Sequence, residues 1–327
     1  MLQWHGGDEM DLKSLNAFVV IAETGSISLA AGRLNIVQPA LSRQIARLEG
    51  DLGVTLFRRH GRGVELTADG QRILDHARVV LRDLAALRDE AARRNFPAGE
   101  VAFGTPTTVA EVLIAPVIES CARQWPEVKL RAVTGYSGHV QGWLQSGTLD
   151  LGVIYDTGKA LAGIRTSPLL VENLFLVEPP DAPARDTATL EEAAALRLIL
   201  PNPVHGLRIL IDMVAARQGI AIAPVVETDA LAAQIDLVRR GFGATILPRV
   251  SVFRDLREGR LRATPLERPG ITRTLMLATP DDRPLSGATR AVAAEIRAEV
   301  TRLAATGLWP HVALPGDADG DMPKWHI

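Results

Sequence analysis

Gln38, Pro39, Ser42 and Arg43 share one turn of a polar stretch, and Arg47 follows one turn later. These side-chain types at this spacing suit the edge chemistry of a DNA groove. A Gln amide can bond adenine in two places, an Arg guanidinium can do the same to guanine O6 and N7, and a Ser hydroxyl reaches a base or a phosphate. A second set of residues suits a different chemistry. Thr105, Thr107 and Thr108 in GTPTT, and Asn202, His205 and Gly206 in PNPVHG, each lie between a strand-like and a helix-like stretch. Free amides at a helix start attract carboxylates and other anions, so these loops are candidate contacts to a small polar or anionic molecule, with Gly206 allowing close backbone approach. Ser137, His139 and the Gly241-Phe242-Gly243 run sit in comparable places, but turn and cap formation accounts for them more simply.

The reading side chains need a platform. Ala30, Ala31 and Leu34 share one helical face, and Leu41, Ile45, Leu48 and Leu52 share another, so two apolar stripes can close against each other. Asn35 stops the first helix, and Pro39 fits the first turn of the second, where its missing N–H costs nothing. The small side chains of Ala30 and Ala31 permit the close approach that a helix-turn-helix requires. Upstream, Leu12, Leu15, Phe18, Val19 and Ala22 predict a further amphipathic helix before Gly25. Downstream, Leu56 and Phe57 begin a ribbon in which Arg58, Arg59 and Arg62 surround turn residues before Val64-Glu65-Leu66. Between residues 10 and 62, seven Lys and Arg oppose four Asp and Glu, a local excess of three positive charges. Binding through such a patch is salt-dependent, because neutralising phosphates releases counterions.

A plain helical subdomain with solvated arginines is the bland alternative. Against it stands the whole order of signals: AAxxL, QPALSRQIxxLE, LGVxLFxR and TxxG. On these motifs residues 10–94 resemble the LysR-type family of bacterial transcriptional regulators. The resemblance implies that Gln38, Pro39, Ser42 and Arg43 face the major groove and that Arg59 contacts backbone beside the wing. It also implies double-stranded promoter DNA and RNA polymerase as partners, and homodimers that often pair into tetramers.

Thr67 is a good N-cap for a long helix with Asp69 in its first turn. Ile73, Ala77, Val80, Leu84, Leu87 and Ala91 then step by four and three residues, a coiled-coil seam on an otherwise charged helix. Packing on the same chain is the alternative to self-association; the adjoining small DNA-reading unit favours a pair of chains that reads two half-sites.

Beyond residues 97–100 the pattern changes. Strand-like stretches at 101–103, 129–133 and 149–155 alternate with helical ones at 112–123 and 140–145. A second set follows, with strands at 198–200, 225–227 and 244–247 and helices at 207–217 and 231–240. Residues 274–278 and 288–303 return to the first half, and the alternation argues for α/β units. This region resembles the effector-binding region of the same family, which is like a small periplasmic binding protein, and there the small-hydroxyl loop commonly contacts the effector. Within the family, GTPTTV and PNPVHGLR are suggestive of regulators of sulfur or nitrogen assimilation.

The expected fold is thus an N-terminal all-α winged helix-turn-helix with a long linker helix, followed by a C-terminal α/β two-lobed effector-binding domain. The expected boundaries are an extension over 1–9, the winged helix-turn-helix over 10–67, and the linker and dimerisation helix over 68–96. The two-lobed domain covers 97–304, with crossovers near 177–180 and 268–274, and a flexible tail covers 305–327.

The remaining features exclude more than they assign. The 327 residues carry a formal charge of −2, so nothing global announces nucleic acid. Cys121 is the only cysteine, which rules out an intrachain disulfide and argues for a buried structural thiol. No apolar run reaches a membrane span, and residues 1–9 lack the charged start and apolar core of a signal peptide, so a cytoplasmic protein without a membrane partner is expected. The seven histidines show no metal-ligand spacing, and no nucleophile elbow, phosphate loop or dinucleotide fingerprint is present. No cofactor and no enzymatic activity are expected. An α/β enzyme, or a small-molecule-binding protein without a transcriptional role, stands as the alternative.

Overall fold

The computed structural model describes residues 11–61, 63–91, 97–268 and 270–315, which divide into an N-terminal and a C-terminal unit.

In the N-terminal unit, α1 (Leu12–Thr24), α2 (Ile27–Arg33) and α3 (Gln38–Leu52) precede a hairpin of β1 (Phe57–His60) and β2 (Gly63–Leu66), and α4 (Ala68–Ala91) follows. Local chemistry sets each boundary. The Asp11 carboxylate accepts from Lys13 N to start α1, and Gly25 ends it at φ 63°. The Ser26 hydroxyl caps α2, and Asn35 turns the chain at φ 55°. Pro39 stands in the first turn of α3. Phe18, Ile21, Ala30, Leu41, Leu48 and Leu56 are fully buried in one core. Each large apolar side chain there contributes about 1.5–3 kcal/mol relative to exposure.

The TxxG motif has a physical cause. The Thr67 hydroxyl donates to Thr55 O at 2.6 Å and accepts from Gly70 N at 2.9 Å. A Cβ at Gly70 would collide with the Leu56 carbonyl, so glycine lets α4 lie directly on the start of the wing.

α4 does not present the predicted seam along its whole length. Ala77 is buried with Leu74 in the unit's own core, and Ile73 and Leu81 pack against that core. Ala77 therefore leaves the self-association face, because α1 already covers it. Val80 and Leu87 are 43% and 66% exposed, and Leu84 is half-buried. The Ala91 side chain, like Arg62, lies outside the described residues.

The C-terminal unit opens with β3 (Gly99–Thr105), α5 (Thr107–Gln124), β4 (Val128–Thr134), α6 (Ser137–Gln145) and β5 (Leu151–Tyr155). A single fifteen-residue strand, β6 (Ile164–Glu178), then carries the chain into a second lobe. That lobe holds α7 (Leu190–Ala194), β7 (Ile199–Leu200), α8 (Gly206–Arg217), β8 (Val226–Glu227), α9 (Leu231–Arg239) and β9 (Thr245–Pro248). A short 3₁₀ turn (Arg249–Val252), α10 (Phe253–Arg257) and β10 (Arg262–Pro265) complete it. β11 (Thr272–Pro280), α11 (Gly287–Ala305) and β12 (Val312–Ala313) return to the first lobe.

The main sheet runs β10-β6-β11-β5-β3-β4, with β9 and β12 also on β6. β3 pairs in parallel with β4 and β5, as the βα alternation requires. β6 changes partners along its length: Ile164 to Asn173 pair with β11, and Leu174 to Glu178 pair with β9 and β10. Each lobe has its own core, one around Phe103, Leu113, Val153 and Ile296, the other around Leu176, Leu200, Ile211 and Ile246. Cys121 is buried in the first, and burial followed by Glu295 and Glu299 pushes its thiol up to about 11.

The expected loose tail is corrected over its first part. Trp309 is 1% exposed within the first lobe's core, and Val312 and Ala313 pair with Glu172 and Val171 of β6. Gly307 and Pro310 flank Trp309, and the rest of the Gly, Pro and Asp content that suggests a tail lies beyond Ala313.

Candidate functional site

The first two turns of α3 place Gln38, Pro39 and Arg43 outside the core, with Ser42 half-buried between them. The opposite face of the same helix, Leu41, Ile45 and Leu48, is buried, which fixes the rotation of the reading side chains. The Ser28 hydroxyl meets Gln38 Oε1 at 3.0 Å, so α2 orients the amide. Arg43 has no carboxylate partner among the described residues, and the same is true of Arg58 and Arg59 on the wing. Arg47 differs: its Nε lies 3.9 Å from Asp51, a loose exposed pair. Glu49 accepts from Leu56 N at 2.7 Å and from Phe57 N at 3.3 Å, tying the wing to the end of α3. Leu29 and Val37 are 65% and 69% exposed beside the reading turn. Apolar residues suit thymine methyl groups, and exposure was the one property their types did not signal.

A second candidate site is a narrow cleft, with about 30 Å³ of internal room, between the two lobes of the C-terminal unit. From the first lobe it is lined by Thr107, Thr108, Tyr136, Ser137, Tyr155 and Arg273, and from the second by His205, Gly206, Asp229 and Gln234. The first-lobe wall is a connected polar network. Arg273 Nε donates to Glu172 Oε1 at 2.7 Å, and its Nη2 donates to Thr108 Oγ1 at 3.2 Å. The Tyr155 hydroxyl donates to the same Glu172 oxygen at 2.9 Å and lies 3.0 Å from Thr108 Oγ1. Trp309 Nε1 donates to Glu172 Oε2 at 3.1 Å. The Arg273 guanidinium stands 3.7 Å from the centroid of the Tyr155 ring, a cation–π contact. Burial raises the Tyr155 hydroxyl's pKa, with Arg273 and Glu172 acting in opposite senses on it, so the phenol stays neutral. Glu172 is 2% and Arg273 7% exposed. A buried ion pair holds its ground only when its remaining lone pairs and protons are also satisfied, and here Tyr155, Thr108 and Trp309 supply those partners.

The second-lobe wall is smaller. Asn202 N donates to Asp229 Oδ1 at 3.0 Å, and the Asn202 side-chain amide donates to Oδ2. Burial opposes the Asp229 carboxylate, but the Asn202 and Tyr136 hydrogen bonds prevail and hold it below its ordinary value. His205 Nδ1 accepts from Leu207 N at 3.1 Å and caps α8. Its pKa is depressed, chiefly by burial; Asp229 opposes the shift and Arg273 adds to it. Tyr136 joins the walls: its ring meets His205 edge-on at 4.6 Å, and burial, followed by Asp229, raises its hydroxyl's pKa. Arg208 supports the PNPVHG loop from below, donating to Pro201 O at 3.2 Å, Glu227 at 2.8 Å and Asp212 at 2.9 Å.

Several predicted site residues move. Thr105 is fully buried at the end of β3, where its hydroxyl meets Pro106 O, so it is structural and does not line the cavity. Asn202 acts behind the wall, through Asp229. Ser137 does line the cavity, and its Oγ accepts from Tyr155 N at 3.1 Å. Phe242 lies under Arg197 at 4.7 Å, away from the cleft, and a Cβ at Gly243 would strike the Arg197 carbonyl. Thr107, Thr108, His205 and Gly206 line the cleft. Arg273, Glu172, Tyr155 and Asp229 were missed; they stand on strands or in loops with no local motif, and only the pairing of β6 with β11 sets Arg273 opposite Glu172.

A winged helix-turn-helix carried on one chain with a two-lobed α/β domain and its polar cleft defines a DNA-binding regulator with a small-molecule-sensing domain. Residues 12–71 match the bacterial regulatory helix-turn-helix protein, lysR family, and residues 94–301 match the LysR substrate binding domain. The chain belongs to the LysR family of bacterial transcriptional regulators, and it is not an enzyme. It is similar to the HTH-type transcriptional regulator BbuR of Bordetella bronchiseptica, at 30% identity over 92% of this chain and 93% of that one. It is also similar to the nitrogen assimilation regulatory protein nac of Klebsiella aerogenes, at 32% identity over 73% of this chain and 78% of that one. Among solved structures, a full-length OxyR variant from Pseudomonas aeruginosa shares the fold with a TM-score of 0.76 at 24% identity, over 97% of this chain and 100% of that one. CbnR in complex with its target DNA aligns with a TM-score of 0.62 at 23% identity, over 90% and 100%. No helix among the described residues is long and apolar enough to cross a membrane.

Proposed function

We propose that this regulator reads promoter DNA with Gln38, Pro39, Ser42 and Arg43 in the major groove, while Arg47, Arg59 and Arg62 engage the phosphate backbone. A small polar effector carrying an anionic group binds between the lobes against Thr107, Thr108, His205, Gly206 and Arg273. Two chains associate through the exposed part of α4, at Val80, Leu84 and Leu87 with Ala91 continuing the register, and pairs join into tetramers. The effector binds one arrangement of the lobes better than another and thereby shifts the placement of the DNA-reading heads toward RNA polymerase. The observation that carries the DNA assignment is Arg43, exposed in the second turn of α3 with no carboxylate among the described residues to neutralise it. Promoter footprinting with Arg43→Ala tests it. Loss of one bidentate base contact is worth about 1–3 kcal/mol, so specific affinity should fall by roughly 5- to 150-fold while folding, association and non-specific binding persist. Equal losses on specific and non-specific DNA would refute the assignment.

A further inference from the structure

Arg273 and Asp229 are the only fully charged side chains among the described residues lining the cleft, and they stand on opposite walls. Their surroundings differ in one decisive respect. The Arg273 charge is offset from behind by Glu172 at 2.7 Å. Asp229 has no cation within ion-pair distance among the described residues; Asn202 bonds it as a neutral donor, through its backbone N–H and its side-chain amide. The cleft is therefore left with one uncompensated negative charge on the second-lobe wall. On the first-lobe wall it keeps hydrogen-bond donors: a guanidinium has five N–H groups, of which Glu172 and Thr108 take two. Thr107 and Thr108 also open α5, an eighteen-residue helix whose first N–H groups have no side-chain cap.

Resting on the effector reading above, we infer that the cleft recognises a small zwitterion such as a free amino acid, its carboxylate at Arg273, Thr107 and Thr108 and its ammonium at Asp229. A simple anion would satisfy one wall and face Asp229 without relief. A simple amine would neutralise Asp229 and leave the Arg273 donors and the α5 amides unmatched. Only a molecule with both groups closes both walls. Closure also removes water, which strengthens both contacts.

The test uses the full-length protein in a thermal-shift and calorimetric titration series. The probes are the twenty standard amino acids, each beside its des-amino acid and its decarboxylated amine, such as alanine with propionate and ethylamine, or serine with 3-hydroxypropionate and ethanolamine. At least one amino acid should bind, and it should bind at least tenfold more tightly than both of its truncated counterparts. Asp229→Asn should cost that amino acid at least tenfold and bind its des-amino acid more tightly, because the anion no longer faces a carboxylate. Arg273→Gln alone leaves Glu172 buried and unpaired, so the paired Glu172→Gln, Arg273→Gln variant reports on the carboxylate side, with the amine's affinity unchanged as the control. A des-amino acid that binds as well as its parent would overturn the inference and leave the effector cleft standing. So would full affinity in Asp229→Asn, or a panel without any binder; operator recognition is judged separately by the Arg43→Ala footprint.

Discussion

Replacing Trp309 with phenylalanine removes one hydrogen bond and part of one ring from the C-terminal unit. The side chain is 1% exposed and packs in the core that contains Val300 and Leu303. Its Nε1 donates at 3.1 Å to Glu172, the carboxylate that also holds Arg273 and Tyr155. Phenylalanine keeps an aromatic ring in place but leaves Glu172 Oε2 without this donor. Losing a hydrogen bond to a buried charged group costs about 1.5–3 kcal/mol. The smaller ring adds about 1 kcal/mol for the space it leaves. A total near 3 kcal/mol lowers the midpoint of a unit of this size by about 6–12 °C. Differential scanning calorimetry of the full chain should show the C-terminal transition falling by that amount and the N-terminal transition holding still. An unmoved C-terminal transition would refute the placement of residues 305–315 in the core, and with it the anchoring of Glu172.

Two further outcomes follow from the same physical reasoning. Burial keeps the folded His205 pKa below the ordinary 6.5, so the unfolded chain takes up that proton first as pH falls. Stability is then full above about pH 6.5 and declines below it; the groups facing His205 are Asp229, Arg273 and Tyr136, and His311 shifts in the same direction. His205→Asn should therefore make melting temperature less steep between pH 7 and pH 5, and an unchanged slope would show that His205 is not a source of the linkage. On α4, Leu87→Glu should shift the protein toward monomer in sedimentation velocity without unfolding it, whereas Ala77→Glu should unfold the N-terminal unit; monomer formation by neither would remove α4 from the self-association face.

The N-terminal unit was legible because its signals are local. Caps, the Asn35 turn, Pro39 and the two apolar stripes each act within a few residues, and TxxG records a contact between neighbours in sequence. The seam on α4 misled in part because helical periodicity does not say which partner covers a face: Ala77 and Leu87 keep the same register, yet one lies in its own chain's core and the other faces outward. In the cleft, loops at helix starts were legible, and Thr107, Thr108, His205 and Gly206 line it. Thr105 sits one residue too early, on the buried end of β3. Arg273 and Glu172 are 101 residues apart and meet only through strand pairing. The notion of a loose end failed at Trp309, because one large aromatic outweighs the glycines and prolines that follow it.

β6 has a mechanical consequence. At about 3.3 Å per residue, fifteen residues make a rod of roughly 50 Å. It exchanges one set of neighbours for another between Asn173 and Leu174, immediately beside Glu172. The pivot thus divides the rod unequally, into a ten-residue arm of about 33 Å and a five-residue arm of about 17 Å, and a 10° bend there would swing the two ends by about 6 Å and 3 Å. Any force that Arg273 transmits to Glu172 is applied next to the fulcrum, where the smallest movement at the strand has the longest reach at the rims of the lobes.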